Sequence, residues 1–276
     1  MLIYMDEIIQ KKLDKIKDYK IVIPSYLRHK ELESKTLQTL KNNNINHKRI
    51  YIFVANEQER NTYFDYIDGN LYGQIIIGVK GIQQQREFIK QYFEQGDYLV
   101  SCDDDIEEFY HLEIENNKKV IKSIVNIEYE IIRTFIICNN LNKYLWGVQA
   151  HKNAFWMKDE VACGLIFCVG VFYGFINRPH DEDLKTSSCI EVKEDYENCI
   201  LHCIKDKGVV RRNDLCFKTV YNAPGGCGKE RYDKNLKAQE YLTTKYHQYC
   251  YKTFRKNKLI KTGEPEVRLK LFKKKK

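Results

Sequence analysis

The chain has 276 residues, of which 43% are hydrophobic, and this composition excludes overall disorder. Its length suits one large α/β domain with a buried core. Part of its formal net charge of +8 comes from the lysines at residues 273–276. Such a charge favours polyanionic partners, although a terminal lysine run is more commonly a solvated tail.

The ten cysteines are spread through apolar stretches, and no secretory signal precedes them because Asp6 and Glu7 interrupt the apolar N-terminus. We therefore expect reduced thiols and an intracellular, soluble protein. The best candidate for a membrane span, residues 161–176, is shorter than the roughly 20 residues that cross a bilayer. It predicts two buried strands, so we expect no membrane association.

The first half of the chain alternates between two patterns. Helical spacing predicts an N-terminal helix over residues 1–19, and strand-like and helical segments then follow one another. The predicted strands are 20–24, 49–55, 74–79 and 97–102, and the helices between them are 30–41, 57–66 and 81–94. This order predicts a mostly parallel sheet with helices on both faces. Ligands bind such sheets beyond the carboxyl ends of the strands.

The second half is less regular. We predict a helix over 120–142, apolar strands within 165–175, a helix over 194–205, a strand over 209–221, a glycine-rich turn at 223–228 and a helix over 232–249. The chain then divides into the helix 1–19, a first half 20–110, a second half 111–262 and a basic tail 263–276.

Three consecutive aspartates, Asp103, Asp104 and Asp105, follow the predicted strand 97–102. They crowd three carboxylates into about 7 Å of chain, which is costly without a cation. Mg²⁺ or Mn²⁺, held by one or two carboxylates and by substrate phosphates, suits such a cluster. Asp103 and Asp105 point to the same side of an extended backbone and form the candidate metal pair. The alternative is that the aspartates cap a helix starting at Ile106.

Polar residues also follow the other predicted strands. Pro24, Tyr26 and Arg28 come after the first strand, where arginine suits phosphate and tyrosine can stack on a pyrimidine. Asn56 comes after the second. A surface turn would look the same.

A helix start and an acidic pair add two more candidates. The helix opening at Gly81 presents free backbone amides, and Arg86 lies on its next turn, so this end can face a diphosphate. Glu194 and Asp195 begin a later helix, where a carboxylate can act as general base on a hydroxyl. Ordinary packing and complementation of the helix dipole are the respective alternatives. The turn with Gly225 and Gly226, followed by Arg231, is cationic enough to close over phosphates.

Several of these segments resemble a known family. Residues 23–28 (IPSYLR), 81–86 and 97–105 (DYLVSCDDD) resemble the nucleotide-sugar half of GT-A-fold glycosyltransferases. Within that fold the chain is similar to the TET-associated glycosyltransferases of phages and large viruses, relatives of the base J glucosyltransferase. Trp146 and residues 164–177, 194–195 and 221–231 are similar to that family's second half, so the resemblance covers about residues 20–249.

The resemblance implies a single GT-A domain with a Rossmann-like nucleotide-binding half at 20–110 and an acceptor-binding half at 111–262. It implies that the nucleotide-sugar site comprises Pro24, Tyr26, Arg28, Asn56, Gly81, Arg86, Asp103 and Asp104. It further implies Mn²⁺ or Mg²⁺ at Asp103 and Asp105, Asp195 assisted by Glu194 as the base, and an acceptor loop with Trp146, Gly225, Gly226 and Arg231. GT-A enzymes often add a late histidine ligand, and here only His247 is suitably placed.

The activity that the resemblance implies is transfer of a sugar, commonly glucose from UDP-glucose, to hydroxymethylated pyrimidines in DNA. A viral protein of this kind would act in the host cytoplasm or nucleus. Basic residues near the acceptor side are candidates for DNA phosphates: Lys193, Lys205, Lys207, Arg211 and Arg212. A GT-A enzyme acting on protein or glycan, and an inactive nucleic-acid-binding relative, remain alternatives.

Overall fold

A computed structural model of the protein describes residues 2–219, 231–257 and 260–270. Its helices are α1 (Leu2–Lys17), α2 (His29–Leu32), α3 (Gln38–Asn42), α4 (Glu57–Tyr66), α5 (Ile82–Tyr92), α6 (Ile127–Asn140), α7 (Glu194–Asp206) and α8 (Arg231–Lys245). Its strands are β1 (Lys20–Pro24), β2 (Ile50–Val54), β3 (Gln74–Ile77), β4 (Tyr98–Cys102), β5 (Glu108–Glu115), β6 (Lys118–Ser123), β7 (Leu145–Gln149), β8 (Val161–Gly164), β9 (Phe172–Ile176), β10 (Val209–Lys218), β11 (Cys250–Asn257) and β12 (Ile260–Leu269). A π-helical turn, Glu33–Leu37, joins α2 to α3.

Ten of these strands form one mixed sheet in the order β3-β2-β1-β4-β9-β7-β10-β5-β6, with β8 also paired to β10. Strands β1 to β4 are mutually parallel, and β7 and β10 point the same way. Strand β9 runs antiparallel between β4 and β7. The predicted α/β class with a mostly parallel central sheet is therefore confirmed.

Helices cover both faces of the sheet. On one face the buried side chains of α6, among them Ile131 and Phe135, pack with Trp146 of β7. On the other face Ile89 of α5 and Cys199 of α7 pack over Val22, Leu99 and Tyr173 and their neighbours. A third cluster joins α7 to α8 and to the two-stranded β11–β12 sheet. The C-terminal hairpin is thus attached to the domain through α7 and α8.

Local chemistry explains where the first-half helices begin. The side chain of Asn56 accepts a hydrogen bond from the Glu59 amide and caps α4. Gly81 precedes α5 with φ of 101°, a backbone conformation that glycine adopts without strain. These starts lie at the ends of β2 and β3, so the chain turns at the sheet edge where the cleft is found.

The structure differs from the sequence predictions in three places. Residues 120–123 belong to β6, not to the predicted helix 120–142, which begins only at Ile127. The run that starts at Ile106 leads into β5, so the aspartates do not cap a helix. Residues 263–269 of the predicted basic tail lie in β12, paired with β11.

Within residues 2–219, 231–257 and 260–270, no helix is long and apolar enough to cross a membrane. The stretch predicted as two buried strands contains β8 and β9, but only β9 is buried, and the residues of β8 are exposed or half-buried. Between them, residues 165–171 form a connecting loop that reaches the carboxyl end of β4, where the Asp103 amide donates to the Val171 carbonyl at 2.8 Å.

Candidate functional site

A cleft of about 780 Å³ opens at the carboxyl ends of the parallel strands. Pro24 at the end of β1, Ala55 after β2, Gly81 after β3 and Asp103 after β4 line one side. The start of α7, α8 and the β11–β12 hairpin line the other side. The predicted meeting of strand-end residues at one sheet edge is therefore found in the structure.

Arg28 holds two of the three aspartates. Its Nη1 lies 2.7 Å from Asp104 Oδ1 and its Nη2 lies 3.1 Å from Asp105 Oδ2. Ser25 donates to Asp104 Oδ2 at 2.7 Å, and Thr219 donates to Asp105 Oδ1 at 2.6 Å. Both carboxylates are therefore fully engaged with protein donors.

The backbone of the acidic cluster is fixed from the helical side. Thr36, fully buried in the π-helical turn, donates its hydroxyl to the Asp103 carbonyl at 2.8 Å. The same hydroxyl accepts from the Ile106 amide at 2.9 Å. One threonine thus anchors both ends of the Asp103 to Asp105 segment.

Arg86 joins Asp103 at the end of β4 to the acidic start of α7. Its guanidinium forms an ion pair with Glu194 and a second with Asp103 Oδ1 at 3.2 Å. It also donates to the Gly170 carbonyl at 2.7 Å. A Cβ on Gly170 would lie 2.6 Å from Arg86 Nη1, so this close approach requires glycine. Arg86 lines the cleft, but it is committed to protein acceptors and does not stand open towards a diphosphate.

Asp195 lies beside this network. Its Oδ2 accepts from the Gly170 amide at 3.1 Å, and its Oδ1 from the Tyr196 amide at 2.9 Å. Burial, and then the charge of Glu194, raise the pKa of Asp195 to about 6 against the opposing effect of Arg86. A carboxylate with a pKa close to neutrality is suited to accept a proton.

Two carboxyl groups of the acidic cluster also have raised pKa values. Burial raises the pKa of Asp103 to about 7, and the neighbouring carboxylates add to this although Arg86 opposes it. Burial likewise raises the pKa of Asp104 to about 6. Negative charge is therefore disfavoured at the base of the cleft, and a cation there would be stabilised.

The residues suit a divalent ion that takes few protein ligands. Asp103 lines the cleft with 31% of its side chain exposed, so it can offer an oxygen. Asp105 can do so only if Arg28 releases it. Among the described residues no three His, Cys, Asp or Glu side chains are grouped as a metal site. An all-oxygen set completed by phosphate oxygens is what Mg²⁺ and Mn²⁺ accept.

Of the other predicted site residues, some line the cleft and others do not. Tyr26 lines the cleft with 38% exposure, and Lys80 Nζ lies 5.1 Å from its ring centroid. Asn56 caps α4 instead, and Ala55 takes its place in the cleft lining. His247, the candidate late histidine ligand, does not line the cleft. Its side chain lies beside the Thr244 carbonyl.

The predicted acceptor loop is only partly supported. Trp146 is 1% exposed in the core, with its ring against Gly174, so its predicted role in an acceptor loop is wrong. Arg231 lines the cleft at the start of α8. Gly225 and Gly226 lie outside the described residues.

Most of the basic residues expected to hold DNA phosphates have protein partners. Arg212 is 1% exposed and pairs with Glu130 and Asp214. Arg211 donates to Asn213 and Phe167, Lys205 pairs with Asp181 and Asp183, and Lys193 pairs with Glu266. The charges of Lys193, Lys205 and Arg212 are compensated within the protein, and contact of the basic residues with DNA phosphates stays a prediction.

Sequence reasoning missed the far wall of the cleft. Three ion pairs line it: Lys193 with Glu266, Lys234 with Glu191, and Arg255 with Glu264. Glu264, Glu266 and Arg268 alternate with uncharged residues, which is a usable sign of a strand, but nothing in the sequence places the hairpin against α7.

The order of the strands and the likeness to solved structures define the fold: the protein has the GT-A fold. No protein-family model matches the chain, and no curated protein matches it.

Similar solved structures include the mannosyltransferase PcManGT from Pyrobaculum calidifontis in complex with GDP-Man and Mn²⁺. It aligns with 83% of this chain and 64% of its own length, at 9% identity and a TM-score of 0.53. TarS 1–349 from S. aureus in complex with UDP-GlcNAc aligns with 81% of this chain and 66% of its own, at 12% identity and a TM-score of 0.50. This chain thus spans slightly less than two thirds of either structure, and 39% of a longer TarS structure, and the likeness is one of fold.

Proposed function

We propose that this protein transfers a sugar from a nucleoside diphosphate sugar to a hydroxyl group. The observation that supports this best is the Arg86 network, in which one guanidinium binds Asp103 at the end of β4 and Glu194 at the start of α7. It brings a donor-side carboxylate and a candidate base, Asp195, to one cleft on a GT-A fold.

The donor would occupy the strand-end side of the cleft. Pro24 and Tyr26 line that side and would offer an apolar and aromatic surface to the nucleoside. Asp103 lines the cleft beside them and would meet the ribose or the diphosphate. Mn²⁺ or Mg²⁺, held by Asp103 and by Asp105 once Arg28 releases it, would neutralise charge on the departing diphosphate.

Asp195 is the residue best suited to activate the acceptor. The Gly170 and Tyr196 amides fix its carboxylate, and burial raises its pKa to about 6. Glu194 is tied to Arg86 and acts by holding that guanidinium in place. Deprotonation of the acceptor hydroxyl by Asp195 would accompany loss of the diphosphate.

For the acceptor we propose a hydroxymethylated pyrimidine in DNA, with UDP-glucose as donor, on the strength of the resemblance to TET-associated glycosyltransferases. Such a base must leave the duplex to be reached. The ion pairs of the far wall leave little net charge inside the cleft, which suits an uncharged hydroxyl-bearing group. A hydroxyl group of a glycan or a protein is also uncharged and would fit the same cleft, so such an acceptor is the second candidate.

The test is incubation with a panel of nucleotide sugars, Mn²⁺ or Mg²⁺, and three acceptors: DNA with hydroxymethylcytosine or hydroxymethyluracil, a glycan mixture, and protein. We expect a hexose mass gain on the modified nucleosides. Asp195→Asn should lower kcat by about 10² to 10⁴ and leave UDP binding unaltered. Labelling of glycan or protein alone would reject DNA as the acceptor. Absence of any sugar transfer would reject the proposed glycosyltransferase activity.

A further inference from the structure

The residue that precedes the acidic pair has an unusual backbone. Lys193 is the N-cap of α7, with φ of 62° and ψ of 21°. This left-handed conformation is uncommon for residues other than glycine and asparagine. The Lys193 carbonyl accepts from the Tyr196 amide at 3.1 Å. The conformation of Lys193 therefore sets the direction of the turn that carries Asp195.

The contact that holds Lys193 comes from the C-terminal hairpin. Lys193 Nζ lies 2.6 Å from Glu266 Oε1, and the two side chains are only 10% and 25% exposed. Glu266 Oε1 also accepts from the Val267 amide at 3.0 Å. The Glu266 carbonyl accepts from Gln239 of α8 at 2.7 Å. Glu266 is thus fixed on two sides and can fix Lys193 in turn.

The same carboxylate acts on the next residue of α7. Tyr196 stacks on Phe167 with ring centroids 4.1 Å apart and lines the cleft beside Asp195. Burial, then the charge of Glu266 and a hydrogen bond to it, raise the pKa of Tyr196. Glu266 therefore contacts the residues on both sides of the Glu194 and Asp195 pair.

Lys193 also contributes charge at Asp195. The charged and titratable groups that face this carboxylate are Arg86 of α5, Asp103 after β4, and Lys193, Glu194, Tyr196 and Cys199 from its own segment. Of these, Lys193 and Arg86 favour the ionised carboxylate. Because Glu266 neutralises Lys193, it controls how much of that positive charge Asp195 experiences.

We propose that Glu266 is a positioning residue for the candidate base: through Lys193 it holds the start of α7 and balances the charge next to Asp195. This inference rests on the proposed function, in which Asp195 accepts the acceptor's proton. It gives the C-terminal hairpin a direct part in the site, although the hairpin is remote from Asp195 in the sequence.

Three variants test the charge balance. Glu266→Gln leaves Lys193 uncompensated, so the pKa of Asp195 should fall by about one unit. Lys193→Met leaves Glu266 uncompensated, so the pKa of Asp195 should rise by about one unit. The double variant removes both charges and should return it towards the wild-type value. The acidic limb of the profile of kcat/KM against pH should shift to lower pH in Glu266→Gln, to higher pH in Lys193→Met, and back towards the wild-type position in the double variant.

The Asp195 carboxyl is followed independently by carbon NMR, with its signal assigned from Asp195→Asn. The control is Lys205→Met, which breaks ion pairs with Asp181 and Asp183 at the other end of α7, about 15 Å away, and should shift neither readout. Shifts in one direction for both single variants, or none, would overturn the inference. Absence of sugar transfer by the wild-type protein would reject the proposed function, while the NMR titration would still decide the role of Glu266.

Discussion

Asp103, Asp104 and Asp105 are consecutive, yet each has a different environment. Asp104 and Asp105 share the fork of Arg28, whereas Asp103 meets one nitrogen of Arg86 and is the most exposed of the three. Asp104 and Asp105 lie in a turn and not on an extended strand, so they face Arg28 together. The prediction that Asp103 and Asp105 point to the same side is therefore wrong. Because of its exposure, Asp103 is the carboxylate most open to a cation or a ribose.

Asp103 should make the stability of the ligand-free protein depend on pH. Burial raises its pKa from 3.8 to about 7, so the folded protein binds this proton more tightly than the unfolded chain does. The resulting stabilisation is complete below 3.8 and is lost as the pH rises through about 7. We expect a higher Tm at pH 6.5 than at pH 8, measured by calorimetry without metal.

The variant Asp103→Asn should flatten this difference, because the amide has no proton to lose. The matched control is Asp65→Asn on the exposed side of α4, which should keep the wild-type difference. The range stops at about pH 6.5, the ordinary histidine pKa, because burial lowers the pKa of His202 and its protonation destabilises the fold below that value. A Tm that is equal or higher at pH 8 would contradict the assignment.

Among individual residues, the sequence correctly predicts the cleft position of several that lie at or just after the end of a strand. Pro24, Tyr26 and Asp103 line the cleft as expected because strand ends share one edge of the sheet. Trp146 was misplaced, because its strand lies in the interior of the sheet and sequence alone does not say which face is open. The pairing of Lys193 with Glu266 joins residues 73 positions apart, which no local pattern encodes.

Among the elements, those of the first half follow their patterns closely, and α4 has the predicted bounds of residues 57–66. The β5–β6 hairpin was missed because its apolar residues were read as part of a helix. Its turn residues, Asn116 and Asn117, have φ of 47° and 61°. Two left-handed residues between alternating strands are the signature of a tight hairpin, and asparagine tolerates that conformation, so the signal was present in the sequence.

Strands β7 and β9 illustrate how the sheet is packed at its centre. Gly174 of β9 pairs with Trp146 of β7, and a Cβ on Gly174 would lie 2.3 Å from the Trp146 ring. Gly174→Ala should therefore lower the free energy of unfolding by about 1–3 kcal/mol, since a buried indole has no room to move. Urea denaturation followed by circular dichroism measures this loss.

Gly69→Ala is the matched control, because nothing lies within 4 Å of the added Cβ. Its effect should stay within about 0.5 kcal/mol. Below its unfolding transition, Gly174→Ala should still bind UDP as the wild type does, because Trp146 does not line the cleft. Weaker UDP binding by this variant below its unfolding transition would contradict this separation of the core from the cleft.

For the whole molecule, the net charge does not predict the charge of the cleft. The chain carries +8, yet Lys205 and Arg212 are paired within the protein, and the cleft wall is close to neutral. Net charge is a property of composition and was available from the sequence. The pairing of each cation depends on the fold, so the sequence overestimated the cationic surface around the acceptor side.

If DNA is the acceptor, the four consecutive lysines at residues 273–276 are a candidate source of long-range attraction, because their charges are concentrated in one short segment of the sequence. Removing these four lysines changes the net charge from +8 to +4. The slope of log K against log salt for DNA binding should then become shallower by up to about 3 to 4. Fluorescence anisotropy of a labelled duplex over a salt series measures the slope.

Four exposed lysines of α1, Lys11, Lys12, Lys15 and Lys17, provide a control with the same final charge when changed to glutamine. Helix α1 packs on the sheet face opposite α5 and α7, so this variant should keep more of the wild-type slope than the tail deletion does. Equal slopes for the two variants would mean that net charge alone governs binding. An unchanged slope after removal of the tail would show that the lysine run is solvated and makes no phosphate contacts.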